Sequence, residues 1–139
     1  MEYKRFDHAI VVRIDRGEEI HEQLRSVCLQ EKVTLASVSG IGAINDLVSG
    51  VWDVEKKAYF SNHFQGVYEV TNLTGTITTM NGEYYPHLHI SAGDAQGHVV
   101  GGHLNSAVVS ATSEIVLHLI DGTVERKFDP EVGLNLLCF

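Results

Sequence analysis

Apolar positions first gather in residues 9–14, Ala9-Ile10-Val11-Val12-Arg13-Ile14, a β-branched run closed by Asp15-Arg16-Gly17, and this predicts a strand. The period then lengthens. Ile20, Leu24, Val27 and Cys28 recur at helical spacing with Glu22, Gln23, Arg25 and Ser26 off the stripe, while Glu18 and Glu19 place negative charge in a first turn, where it complements the helix dipole. From Val33 onward the period falls to two. Residues 34–41, 43–53, 66–79, 84–92, 106–120 and 123–128 each read as a strand or strand pair, separated by Gly, Asn and Asp. Asn81-Gly82 predicts a tight hairpin, because a type I′ turn needs two residues that tolerate positive φ. Long antiparallel strands after one early helix predict an α+β fold: a strongly bent, mainly antiparallel sheet or partial barrel with one main helix near the N-terminus.

Within that pattern the densest chemistry lies in Pro86-His87-Leu88-His89-Ile90-Ser91 and in Gly101-Gly102-His103-Leu104. Alternation in a strand puts His87 and His89 on one face and Leu88 and Ile90 on the other. His103 follows His89 by 103 − 89 = 14 residues, enough for a turn at Gly93-Asp94-Ala95-Gln96-Gly97 to bring a second strand alongside. Three imidazoles with an open fourth position suit a catalytic zinc site, whereas structural zinc is usually enclosed by cysteines; nickel, copper and iron take the same donors. Half-buried polar histidines on a sheet are the plainer alternative. His98 reads as an exposed turn residue and His118, between Leu117 and Leu119, as a core or interface histidine.

Glu69 is the second candidate. Strict alternation along residues 66–79 groups it with Val67, Thr71, Leu73 and Ile77, so a carboxylate shares a mostly apolar face. Burying it requires a partner or a nearby cation. A hairpin at Asn81-Gly82 pairs positions whose numbers sum to 81 + 82 = 163, which sets Glu69 opposite residue 94, just past the two histidines. It is therefore a candidate general base or a partner to the metal ligands, with a hydrated carboxylate at the sheet rim as the alternative.

Composition narrows the functions. A chain of 139 residues, 44% hydrophobic, fits a single domain over 1–139. Ten Lys and Arg against eighteen Asp and Glu give a charge of −8, and the basic pairs Lys4-Arg5, Lys56-Lys57 and Arg126-Lys127 are dispersed, which argues against autonomous nucleic-acid binding. No run approaches a membrane span and the N-terminus has no signal-like apolar stretch, so a cytoplasmic location is expected. Cys28 and Cys138 stand apart in apolar surroundings and read as small buried hydrophobes. Ser39-Gly40-Ile41-Gly42-Ala43 lacks phosphate-loop spacing and precedes strand rather than helix. Val108-Val109 and Ile115-Val116-Leu117 are apolar on both faces, more than the exposed sheet of a small monomer carries.

The succession Gly40-Ile41-Gly42-Ala43, Tyr68-Glu69-Val70, Leu73-Thr74-Gly75, Pro86 to Ser91 and Gly97-His98-Val99-Val100-Gly101-Gly102-His103-Leu104 resembles the PPC domain, the plants and prokaryotes conserved domain. The segment Phe128-Asp129-Pro130 to Gly133-Leu134-Asn135-Leu136-Leu137 is similar to the tail of stand-alone prokaryotic members, so the resemblance covers essentially the whole chain. It implies an α+β fold, assembly as a homotrimer, and the DNA-binding role by which such proteins are usually described. Plant relatives contact DNA through an AT-hook with an Arg-Gly-Arg-Pro core, and this sequence has none. DNA contact by the bare domain is then weak. The fold is also similar to that of acetolactate decarboxylase, whose metal is held by an HxH pair and a later histidine. By that resemblance His87, His89 and His103 map onto ligands of a divalent metal, zinc first among them, and Glu69 onto an active-site carboxylate. Two functions follow: a metal-binding homotrimer that touches DNA or another partner, or a lyase-like enzyme in which the metal polarises a small acidic carbonyl substrate and Glu69 moves a proton.

Overall fold

A computed structural model describes residues 1–139, which form β1 (Glu2–Arg5), β2 (Ala9–Asp15), α1 (Ile20–Gln30), β3 (Ala36–Asp53), β4 (Ala58–Met80), β5 (Glu83–Gly93), β6 (Val99–Leu119), β7 (Glu125–Asp129) and β8 (Leu134–Cys138). The helix buries the stripe its spacing predicts, Ile20, Leu24, Val27 and Cys28. It starts later than the two acidic residues suggest. Glu19 is the N-cap, its carboxylate accepting from the Glu22 amide at 2.8 Å and, with the other oxygen, from the Ala107 amide at 2.9 Å, which fastens the helix to β6. Glu18 turns away to accept from the Met1 amino group and the Asp15 amide.

All eight strands join one sheet in the order β1-β2-β6-β3-β4-β7-β8, and β5 bridges β4 and β6. Because β4 and β6 also pair with β3, the strands β3, β4, β5 and β6 run round in a partial ring. Every pairing is antiparallel except the single β4–β7 contact at Thr79 and Glu125. The α+β class and the bent sheet expected from the sequence are both observed. Residues 34–41 and 43–53, read as two strands, give the single strand β3 over Ala36–Asp53, and register slips at Gly40/Gly42 and Ile44/Asp46 account for the broken alternation. The core gathers Leu24 and Val27 of α1 against Leu47, Leu73, Ile77, Leu88, Ile90, Leu104, Ile115 and Leu117 of the sheet, all buried. At about 25 cal/mol per Å² of apolar surface removed from water, this layer supplies the main driving force for the fold.

Several elements depart from expectation. β6 begins at Val99 rather than residue 106, and β4 at Ala58 rather than 66. The edge strands β1 and β8 carry too little alternation to announce themselves. Cys28 is buried as expected, but Cys138 is exposed because β8 pairs only with β7; both thiols are free. His118 lies outside the core of the chain, since strict alternation turns Leu117 inward and its neighbour outward, which leaves the interface reading of that residue. No helix is long and apolar enough to cross a membrane.

Candidate metal centre

The histidine strand is squeezed between its neighbours by two glycines. A Cβ on Gly75 of β4 would lie 2.0 Å from the His87 carbonyl oxygen, and one on Gly101 of β6 would lie 2.1 Å from the Ile90 carbonyl oxygen. Only glycine permits so close an approach on both sides of β5. The turn after Gly93 closes with Asp94, whose carboxylate accepts from the Gln96 and His98 amides at 2.9 Å each. It sets His89 directly opposite His103, and on the other side His89 faces Thr74 while His87 faces Thr76.

The three imidazoles converge. Ring centroids lie 5.1 Å apart for His87 and His89, 5.2 Å for His87 and His103, and 5.7 Å for His89 and His103. One ring nitrogen from each falls within 4.8 Å of the other two, a spread that a single cation with bonds of about 2.1 Å can span. Leu88 and Ile90 face the core, so the cluster occupies the outward side, with His89 exposed and His103 half-buried. No carboxylate or thiol belongs to the group, so a cation held here would take three imidazole nitrogens from the chain, the donor count of catalytic rather than structural zinc.

Electrostatics favour the neutral rings a metal needs. Burial, reinforced by the charges of His87, His89 and His21, pushes the His103 imidazole down to about 4. Burial also lowers His87, with the Arg126 guanidinium and His89 adding to the effect. Three further residues that sequence reasoning missed surround the cluster. Tyr59 meets the His103 ring edge-on at 6.2 Å and donates its hydroxyl to Asn105. The Nε2 atom of His21 lies 3.1 Å from the Leu104 carbonyl oxygen. Arg126 of β7 lies over Tyr85, two residues before His87 on the same face.

Glu69 stands elsewhere on that face. Pairing follows the sum of 163 from Met80↔Glu83 to Asn72↔Ser91, but slips at Thr71 so that Val70 faces Ala92 and Glu69 faces Gly93, a sum of 69 + 93 = 162. This bulge reverses the alternation. Leu73 and Ile77 remain buried while Val67, Glu69 and Thr71 are exposed, so Glu69 does not share their apolar face. It borders a shallow groove of roughly 360 Å³ with Ala43, Val70, Thr112 and Glu114, four positions along β5 from His89.

The signature of the Plants and Prokaryotes Conserved (PCC) domain matches residues 1–121. The chain belongs to this family. Solved structures agree over nearly the full length of this PPC protein. A Bacteroides thetaiotaomicron protein named for proposed DNA binding is 33% identical and superposes with a TM-score of 0.96 over 99% of this chain and 96% of its own. A metal-containing protein from Archaeoglobus fulgidus is 31% identical, with a TM-score of 0.87 over 100% of both chains. A Pyrococcus horikoshii plant- and prokaryote-conserved protein is 30% identical, with a TM-score of 0.85 over 99% of this chain and 94% of its own. A search of curated proteins finds no match.

Proposed function

We propose that this PPC protein is a metal-binding homotrimer in which His87, His89 and His103 of each chain hold one divalent cation, zinc by preference. The convergence of three ring nitrogens within 4.8 Å carries the reading. Support comes from the depressed basicity of His103 and from the related Archaeoglobus protein, which is metal-containing. Trimer formation is supported by exposed apolar side chains that a monomer leaves in water, among them Ile41, Val51, Phe60, Val67 and Val99. Elemental analysis of protein purified without chelator and then incubated with zinc tests the site. Stoichiometric zinc in the wild type and its loss in His89→Ala are expected; equal metal content in the two would sink it. Light scattering tests the assembly, and a monomer mass at micromolar concentration would remove the trimer.

DNA contact is the second reading, favoured by the name of the Bacteroides relative. With −8 per chain, a trimer carries 3 × −8 = −24, so we propose that any such contact is weak and steeply dependent on salt. Tight, sequence-selective binding at physiological ionic strength would overturn that. The donor count of three makes chemistry on a small carbonyl or carboxylate ligand the alternative, in which the cation would polarise the ligand as a Lewis acid.

A further inference from the structure

Arg126 is the one buried side chain in the protein whose charge nothing balances. It is 8% exposed and forms no salt bridge. Its partners are neutral. Nε donates to the Thr78 hydroxyl at 2.8 Å, Nη1 to the Asn135 carbonyl oxygen at 2.9 Å and Nη2 to the Thr76 hydroxyl at 3.3 Å, while the guanidinium carbon lies 4.9 Å from the centre of the Tyr85 ring. Those bonds use three of the five N–H groups, and leave one on each terminal nitrogen. Withdrawing a guanidinium from water without a counter-charge is costly, and a protein that needed only packing here would do as well with an apolar residue.

The position of this charge is informative. Thr76 and Thr78 are the direct cross-strand partners of His87 and Tyr85, and all four side chains lie on the outward face. Facing side chains in such a pair stand about 5 Å apart at Cβ, so the guanidinium that binds Thr76 is one side chain away from the His87 ring. A divalent cation on the three histidines would add a second positive charge beside the first. A planar anion resolves both. One oxygen of a carboxylate would then face a cation held by the histidines, while the group accepted from the N–H left free on each terminal nitrogen of Arg126. Arg126 lies on β7, past residue 121 where the family signature ends, whereas His87, His89 and His103 fall within the matched residues.

We propose that Arg126 is the anion-binding residue of the histidine site, selecting a small carboxylate as the ligand that bridges it to the metal. This rests on the metal reading above, and the experiment separates the two. The protein is loaded with cobalt(II), whose visible spectrum reports the donors around it, and titrated with pyruvate as the probe. A cobalt spectrum that vanishes in His89→Ala establishes the metal site by itself; its absence in the wild type would overturn both proposals. Pyruvate should then perturb the spectrum of the wild type, and Arg126→Gln should need at least tenfold more pyruvate at unchanged cobalt content. Arg126→Lys keeps the charge and the buried stem but loses the fork, so it should bind pyruvate with intermediate affinity and serves as the deciding variant where Arg126→Gln does not fold. Pyruvate binding as tight in Arg126→Lys as in the wild type would overturn the assignment, as would phosphate displacing pyruvate at a lower concentration than pyruvate itself requires.

Discussion

The two ends of the outward face of β4 and β5 carry opposite chemistry on one continuous pair of strands. Toward the hairpin, Thr74 and Thr76 flank three imidazoles and a buried guanidinium; beyond the bulge at Thr71, Glu69 faces an open groove shared with Glu114. The first end is crowded by glycines, so its groups are held close together, and there Thr78 and Arg126 are buried and His103 half-buried while His89 stays exposed. The second is hydrated. One pair of strands, broken by a single bulge, thus carries a close histidine cluster at one end and a solvent-facing carboxylate at the other, and what separates them is close approach.

That contrast can be broken most forcefully at the ligands. His89→Ala should weaken zinc binding by more than about 100-fold, beyond the loss typical of residues that only support a ligand, as measured by competition with a chromogenic chelator. Next comes the packing that makes the site. Gly101→Ala forces a methyl group to 2.1 Å from the Ile90 carbonyl oxygen, so β5 and β6 must part; we expect a loss of about 3 kcal/mol in urea unfolding and weaker metal binding with it. A wild-type midpoint in that variant would show that the squeeze on β5 is slack.

Acid offers a subtler probe. His103 is held down to about 4 in the folded chain and rises to about 6.5 when unfolded, so between those values the unfolded state binds more protons. Metal-free protein should therefore keep this contribution above pH 6.5 and lose it progressively toward pH 4. Urea midpoints across that window would show it, and His103→Gln should flatten the slope; an unchanged slope would place the acid sensitivity elsewhere. The smallest effect belongs to the hydrated end. Glu69 faces Gly93, four residues past His89, or about 13 Å at 3.3 Å per residue, farther than the ~8 Å over which exposed charges act at physiological salt. Glu69→Gln should leave zinc affinity within about twofold. A tenfold loss would bring its carboxylate into the site.

Much of this arrangement was legible in the chain because its causes are local. The period of two placed His87 and His89 together, Asn81-Gly82 set the register, and the spacing to His103 fitted one turn and a return strand, each of which the structure reproduces. Glu69 was misplaced onto the apolar face because a bulge at Thr71 shifts alternation by one residue, and no residue type there announces it. Arg126 could not be found at all. It binds Thr76, 50 positions earlier, through the sheet's only parallel pairing, and nothing in Val124-Glu125-Arg126-Lys127 distinguishes a buried arginine from a surface one. Cys138 failed for a related reason, since an edge strand leaves apolar residues in water where sequence alone expects burial.

The attachment of β7 has a kinetic consequence. Its ladder to the main sheet is one bridged pair, Thr79 with Glu125, beside the Thr79 amide on the Val124 carbonyl, and most of the rest of the hold on β7, β8 and their connection is through side chains: Glu125 accepting from the Thr79 hydroxyl and the Gly82 amide, Arg126 on Thr76 and Thr78, Asn135 on the Tyr85 hydroxyl, the Trp52 indole on the Val132 carbonyl oxygen, and Lys57 on the carbonyls of Pro130 and Glu131. A β7–β8 unit so fastened is expected to open as a separate cooperative unit, at a lower free energy than the ring of β3 to β6. Its amide hydrogens should exchange with solvent earlier than those of Leu88 or Ile90. Each opening carries the guanidinium away from the histidines, so an occupant that engages both would close the tail by mass action, and the exchange rate of β7 would report how full the site is.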